Sequence, residues 1–337
     1  MTWYIPLLGI VFFLSVAATK QYICMAQMKG MMDQPNHRSS HLFPTPRGGG
    51  VVFVGVWILT LLGLVFTQKV SLSLACYYGI PVILLALVGF LDDLYGLSGK
   101  IRILVQAGCA IVALCFLGGI PLLHFSYVSL SWPYLNEMLA FFLLLWSINL
   151  CNFMDGMDGI ATAEALFVLI PGVGFLYAVG FTEVIVLVGI LIAGLLGFLW
   201  WNRPCAKVFM GDIGSTMLGL MIPLTALYAQ VQAGTPLFLW LMLYGVFLFD
   251  ATATLLRRVL RGEKWYEAHR KHAYQRLHQA GWSHAQVLQG LCALNTVLFL
   301  LTIGAYYFPH QAAVFSSVEV ILLGILYIRI EKIKPMN

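Results

Sequence analysis

Five aspartates carry the chemistry that can be read from this 337-residue chain: Asp92, Asp93, Asp155, Asp158 and Asp212. Asp155 and Asp158 stand three residues apart in Asn149-Leu150-Cys151-Asn152-Phe153-Met154-Asp155-Gly156-Met157-Asp158-Gly159, each followed by glycine. Asp-Gly pairs make turns, because glycine accepts positive φ and the Asp side chain bonds the local backbone. An apolar run opens at Ile160 directly afterwards. The acids therefore stand at a helix N-terminus, where free N–H groups and the dipole favour anions or a metal-bridged anion. One acid would suffice as a cap, and two acids with three glycines, Gly156, Gly159 and the later Gly172, exceed that need. Asp92 and Asp93 are adjacent at the end of another apolar run, and neighbouring carboxylates resist joint ionisation unless a cation lies beside them. Asp212 sits between Gly211 and Gly214, again before an apolar run. Capping by Asp212 or Ser215 is the plainer role there, and it is compatible with a chemical one.

Basic residues accompany these acids. The stretch from Asp33 to Gly50 contains Arg38, Arg47 and three successive glycines, with prolines that forbid a continuous helix. Arg and Ser beside glycine backbone can hold phosphate or a nucleotide, and a purely topogenic basic loop is the alternative. The stretch from Arg257 to His284 is dense in basic and aromatic residues, with Arg270 and His272 near its centre. It suits either anionic lipid headgroups or a pyrophosphate. Its four histidines match no standard zinc spacing. Hard carboxylate oxygens select Mg²⁺ or Mn²⁺. Such an ion with acids on one side and bases on the other describes a phosphoryl-transfer site.

The elements that must position these groups are membrane helices. The chain is 61% hydrophobic and 10% charged, against about 25% charged in a soluble domain. Eleven apolar segments are expected to span: 3–24, 49–67, 74–91, 102–118, 138–152, 160–179, 182–200, 215–231, 236–256, 287–307 and 311–330. The fold class is all-α, a polytopic helix bundle forming one domain over 1–337. Of the 19 Lys and Arg, 18 follow odd-numbered segments and only Lys69 follows an even-numbered one. The positive-inside rule then puts the N-terminus outside and the C-terminus in the cytoplasm. The net charge of +5 is explained by topology and needs no nucleic-acid partner. The seven scattered cysteines read as reduced packing residues. The longest external connection is 119–137, and no repeat stands out.

The order Asp92-Asp93, Asn152 to Gly159 and Val208 to Ser215 resembles the polyprenyl-phosphate N-acetylaminosugar-1-phosphate transferases of glycosyltransferase family 4. The resemblance runs from Asp33 to about Trp282. It implies transfer of a sugar 1-phosphate from a UDP-N-acetylaminosugar to undecaprenyl or another polyprenyl phosphate, with release of UMP. It implies Mg²⁺ as cofactor, a bacterial inner membrane and a site on the cytoplasmic face. Asp212 matches the family's metal ligand, with Asp155 in the metal region. Asp92 matches a proposed base or lipid-phosphate positioner, and Asp93 accompanies it. Asn149, Asp155, Gly156, Met157 and Asp158 fall where the uridine end and metal region are lined. Asn202 and Phe209 fall on nucleotide-pocket positions. Arg270 and His272 would hold the diphosphate, His272 matching the first histidine of a late-loop motif, and Arg47 is the basic candidate of the first loop.

Departures from the family's pattern narrow the substrate. Tyr274 and Gln275 replace the later histidines, and Gly96 stands near a lysine of the peptidoglycan enzyme. Eleven spans also resemble the N-acetylglucosamine branch more than the ten-span peptidoglycan branch. The pattern is similar to O-antigen initiating enzymes of lipopolysaccharide synthesis, whose donors carry N-acetylglucosamine, N-acetylfucosamine or N-acetylquinovosamine. A homodimer is compatible with all of this. The competing functions are a peptidoglycan-type step, a secondary transporter and a CDP-alcohol phosphotransferase. A transporter needs acids near the midplane and often an inverted repeat. The last lacks its long Asp-Gly…Ala-Arg…Gly…Asp…Asp run here.

Overall fold

The computed structural model describes residues 3–35, 43–120, 122–125, 128–264, 266–267 and 269–336. Residues 36–42 of the first basic loop, including Arg38, lie outside them. Thirteen α-helices make up the described architecture: α1 (Tyr4–Met28), α2 (Gly50–Phe66), α3 (Leu72–Tyr95), α4 (Gly99–Leu117), α5 (Pro133–Met154), α6 (Ile160–Ala178), α7 (Thr182–Asn202), α8 (Gly211–Ala233), α9 (Leu237–Leu243), α10 (Gly245–Leu260), α11 (Ala273–Gln279), α12 (His284–Tyr307) and α13 (Ala312–Ile333). Two small antiparallel pairs are added: β1 (Met32–Asp33) with β2 (Thr45–Pro46), and β3 (Leu123–Phe125) with β4 (Val128–Leu130).

Among the described residues, nine helices are long and apolar enough to cross a membrane. The bent pair α9–α10 makes a tenth. The chain is a multi-pass helical membrane protein. Helix α2, with 17 residues, is the shortest expected segment that forms one unbroken helix. At about 1.5 Å per residue it is roughly 25 Å long, slightly less than a hydrocarbon core.

Two elements differ from the sequence expectation. Helix α5 begins at Pro133, five residues before the expected 138. Proline at the first helical turn costs no hydrogen bond, and buried Asn136 donates to the carbonyls of Ile120 and Leu130. The polar start is thus part of the fold. The segment expected to be one helix over 236–256 is broken at Tyr244, with α9 and α10 bent by 79°. Gly245 opens α10, and a Cβ there would overlap the Glu319 carboxylate of α13.

Helix α8 is the least apolar of the nine spans and the most enclosed, packed by α2, α3, α5 and α6. Its Ser215, Thr216, Thr225 and Gln230 are buried in protein instead of facing lipid. Its first turn meets its neighbours backbone to backbone. A Cβ on Gly50 would lie 2.6 Å from the Gly214 Cα, and one on Gly89 would lie 2.6 Å from the Ile213 Cα. Missing side chains at these two positions let the start of α2 and the end of α3 touch the start of α8. That contact brings Asp92 and Asp93 to Asp212.

Candidate active site

The two adjacent aspartates take different tasks. Asp93 accepts the backbone N–H groups of Asp212 at 3.0 Å and Ile213 at 3.2 Å. It therefore caps α8 from another helix, meeting the free donors that every helix start leaves. Asp92 accepts the Leu97 N–H at 2.6 Å just past its own helix. Two arginines bind the acids together. Arg47 places Nε 3.0 Å from Asp93 Oδ1 and Nη2 3.0 Å from Asp212 Oδ1. Arg102 places Nη1 2.9 Å from Asp92 Oδ2 and 3.3 Å from Asp212 Oδ2. Each Asp212 oxygen thus meets one guanidinium, and the two arginine side chains are 43% and 40% exposed. Burial would lower the Arg47 pKa, but the charges of Asp93, Asp212 and Asp33 raise it above its usual range.

The carboxyls of Asp92 and Asp212 are within hydrogen-bonding reach of each other, and Asn152 reaches Asp212. Two carboxyls that close share a proton or a cation. Among the described residues, no three Asp, Glu, His or Cys side chains converge at metal-ligand spacing. Mg²⁺ is commonly held by only one or two carboxylates, with water and substrate phosphate completing its shell. The donor set at Asp212 and Asp92 fits that kind of site.

Two cavities meet at Asp212. One, of about 410 Å³, runs between α3, α4, α5 and α10 over Leu85, Val88, Ile103, Phe142 and Leu145, with Asp92, Asn149 and Gln106 among its polar groups. The other, of about 320 Å³, is lined by Arg47, Glu267, His269 and His272. Both are walled by Arg102, Asn152, Asp212 and Tyr266. The first is a mainly apolar groove with acids at one end, and the second is polar and charged. Asn149 donates to buried Gln106 at 2.7 Å, which fixes the amide beside the groove.

The Asp155–Gly159 turn lies behind this junction. Burial, then the charges of Asp212 and Asp93, push the Asp155 carboxyl well above the usual range, with Arg47 opposing. Gly156 abuts Tyr274, whose hydroxyl a Cβ would overlap, and that hydroxyl donates to the Phe153 carbonyl at 3.1 Å. Met157 is buried in the core. Asp158 accepts the N–H groups of Cys205 at 3.0 Å and Ala206 at 3.2 Å, and His284 Nδ1 stands 3.1 Å away. Burial would raise the Asp158 pKa, yet the His284 bond and charge with those two N–H groups hold it below the usual range. Asn202 donates to the Val208 carbonyl and accepts from Thr162. The Phe209 N–H donates to Pro46 and its carbonyl accepts from Gly49. These residues brace the loop that delivers Asp212.

The expected site residues thus divide. Asp92, Asn149, Asn152, Asp212, Arg47 and His272 line one or both cavities, and Asp93 lines a further cavity of about 320 Å³ that Arg47 also lines. Gly156, Met157, Asp158, Asn202 and Phe209 form the supporting turn and loop, and Arg270, expected at the diphosphate, is not among the residues lining either cavity; its carbonyl accepts from Gln279. Sequence reading gave no role to Arg102, Gln106, Tyr266 or His269. Arg102 alone left a signal, as a cation at the head of the helix that follows the Asp pair.

The chain matches the model of the family described as Glycosyl transferase family 4 over residues 74–230. The Escherichia coli strain K12 undecaprenyl-phosphate alpha-N-acetylglucosaminyl 1-phosphate transferase is 30% identical over 276 residues, covering 78% of this chain and 73% of its own. The chain belongs to this family. A probable undecaprenyl-phosphate N-acetylglucosaminyl 1-phosphate transferase of Bacillus subtilis strain 168 is 29% identical over 324 residues, covering 91% of this chain and 88% of its own. A phospho-N-acetylmuramoyl-pentapeptide-transferase of Streptococcus agalactiae is 30% identical over 269 residues, 74% of this chain and 78% of its own. The matched family segment holds Asp92, Asp93, Arg102, Asn149, Asn152 and Asp212. Arg47 and His272 lie outside it, so the polar cavity draws on parts of the chain beyond the family-4 segment.

Proposed function

We propose that the chain transfers an N-acetylaminosugar 1-phosphate from a UDP-linked donor to undecaprenyl or a related polyprenyl phosphate, releasing UMP. The observation that carries this reading is the meeting of an apolar groove and a charged cavity at one carboxylate, Asp212. A lipid acceptor fits the first and a nucleotide diphosphate sugar fits the second. The same end of the bundle carries Arg47, Arg102, Arg203 and Arg257, so the positive-inside rule assigns it to the cytoplasm. The water-soluble donor is available there, and the acceptor arrives laterally from the inner membrane. The product would begin a cell-surface polysaccharide such as an O-antigen.

In this reading the polyprenyl phosphate lies in the groove with its head between Asp92 and Arg102. Guanidinium groups bind phosphate oxygens in a fork that fixes orientation. An acceptor oxygen attacks the β-phosphorus of the donor. The bond from that phosphorus to the α-phosphate oxygen breaks, and UMP departs with the electron pair. A phosphate monoester has a second pKa of about 6, so at pH 7 it is mostly a dianion and needs little help from a base. Asp92 then mainly orients it. Arg47 and His272 hold the donor diphosphate. Asp212, with Asp92 beside it and Asp155 behind, would hold Mg²⁺, which offsets the charge that grows on the leaving phosphate.

The test is UMP release, with labelled sugar entering the lipid fraction, from purified protein, Mg²⁺, undecaprenyl phosphate and a panel of UDP-N-acetylaminosugars. Incorporation names the sugar. Lipid labelling without UMP release would overturn the reading, and so would silence with every donor. A phosphosugar trapped covalently on Asp92 or Asp212 would replace the one-step route with a two-step one.

A further inference from the structure

At the start of α11 the Gln275 side chain accepts the His272 N–H at 3.3 Å, as in a capping box. The first N–H groups of the helix are taken by a carboxylate from α10. Asp250, 6% exposed, accepts the Ala273 N–H at 2.8 Å and the Tyr274 N–H at 3.4 Å. Thr254 Oγ1 donates to the same carboxylate at 3.1 Å and also meets the Tyr327 hydroxyl of α13. The residue just before these two amides is His272. Its Nδ1 lies 3.7 Å from Asp250 Oδ1, an ion-pair distance. His272 also belongs to the wall of the polar cavity. Tyr274 stacks parallel to the ring at 6.0 Å, and His269 packs at 4.8 Å. Behind the pair, Asp250 lines a separate cavity of about 310 Å³ that is otherwise mainly apolar.

Capping alone does not need an acid. Asparagine serves at helix starts as well as aspartate does. A charge placed in protein beside an apolar cavity is costly unless it is matched. Two amides, the Thr254 hydroxyl and the imidazole surround this carboxylate, and a carboxylate beside one ring nitrogen fixes which nitrogen is left to face the substrate. We propose that Asp250 is a positioning residue for the transfer reaction: it sets the orientation of the His272 ring, so that the ring meets the donor's diphosphate in the polar cavity. This rests on the function proposed above. It also gives the bent span a task, since α10 carries Asp250 on one side and walls both cavities through Leu255 on the other.

Full-length purified protein, with Mg²⁺, undecaprenyl phosphate and the UDP-aminosugar turned over by the native chain, tests this through a double-mutant cycle. Asp250→Asn keeps the shape and the amide bonds and removes the charge. It is expected to lower kcat at least tenfold, leave the acceptor KM within twofold and leave the melting temperature nearly unchanged. His272→Gln is expected to do the same. In the His272→Gln background, Asp250→Asn should cost less than twofold more, because the group it acts through has gone. A wild-type rate in Asp250→Asn overturns the proposal. Losses that multiply in the double variant also overturn it, and assign Asp250 to folding alone. If Asp250→Asn does not fold, Asp250→Glu takes its place in the same cycle, since it keeps the charge but moves it. If the native chain turns over no UDP-sugar, the function reading fails first. The coupling is then read from the rise in melting temperature that UDP produces in each variant. Equal rises in native, Asp250→Asn and His272→Gln proteins, or none in any, overturn the proposal.

Discussion

At the start of α8, a glycine at φ 75° leads into Asp212, whose two oxygens meet two partly exposed arginines at the junction of two cavities. At the start of α6, a glycine at φ 72° follows Asp158, whose oxygen is used by two backbone N–H groups and a histidine. In sequence the two turns look alike: aspartate beside glycine, then an apolar helix. In space one acid faces ligand volume and the other faces peptide. The difference is set by what each turn packs against. Backbone contact at Gly50, Gly89 and Gly214 opens the first turn toward Arg47 and Arg102. The loop 203–207 folds over the second and covers it. A carboxylate surrounded by cations and space can exchange partners with an incoming phosphate. One satisfied by amides cannot without dismantling its loop.

The sharpest test of this contrast is a matched pair of substitutions. Asp212→Asn is expected to lower sugar-phosphate transfer more than a hundredfold with folding intact, since it removes the charge at the reaction centre. Asp158→Asn should keep activity within about fivefold, because an amide oxygen can still accept from Cys205 and Ala206. Steady-state rates on both variants decide it. An Asp212→Asn protein keeping more than a tenth of native activity would remove Asp212 from the centre, and the contrast with it.

Gly156→Ala comes next. The added methyl would overlap the Tyr274 hydroxyl, which is fixed to the Phe153 carbonyl. The turn must shift and carry Asn152 with it. Transfer should fall about tenfold, as small displacements at a positioned site do. Tyr274→Phe in the same chain should restore part of the rate by vacating the space. No restoration would mean that Gly156 acts on substrate directly, and would move the second turn into the site.

Arg47→Ala and Arg102→Ala sharpen the comparison on the cavity side. Arg47 walls the polar cavity and Arg102 walls both. Loss of Arg47 should raise the donor KM about tenfold with little change for the acceptor, while loss of Arg102 should raise both. Equal effects from the two would merge the cavities into one binding volume.

Much of this was legible before any coordinates. The apolar runs mark the helices, because a backbone in lipid must satisfy itself and needs about 20 apolar residues to do so. The acids at the run ends mark one face, because charge is expelled from the middle. What the runs could not show is which turn faces inward. Asp158 and Asp212 carry the same local signature, and only the long-range contact of α3 with α8 separates them. Arg102 does not stand out in the sequence, because a basic residue at a membrane helix end is the ordinary topological signal. The bend at Tyr244 was hidden for a related reason. A span of apolar residues reads the same straight or broken, and the polar partner at the break, Glu319, comes from a helix about 70 residues later.

The smallest effect concerns stability, and it bears on the same turn. Asp158 has a pKa below its usual value of about 4, held there against burial by His284 and two amides. A carboxylate whose pKa is lower folded than unfolded contributes stability above the unfolded value and loses it as pH falls through the folded one. Its contribution is therefore complete at neutral pH and fades below about pH 4. Cys205 adds to the same account, since it holds φ 69°, a left-handed conformation that costs a non-glycine residue about 1 kcal/mol. The amide bond from Cys205 to Asp158 offsets that strain. Asp158→Asn should then lower stability by about 1 kcal/mol at pH 7, and the gap from the native chain should close as the pH drops toward 3. Cys205→Gly in the Asp158→Asn chain should recover part of the loss at pH 7 by relieving the backbone. Melting curves in detergent across that pH range measure both. A gap that stays constant with pH would mean that the charge on Asp158 does not hold the loop, and that its shape alone does.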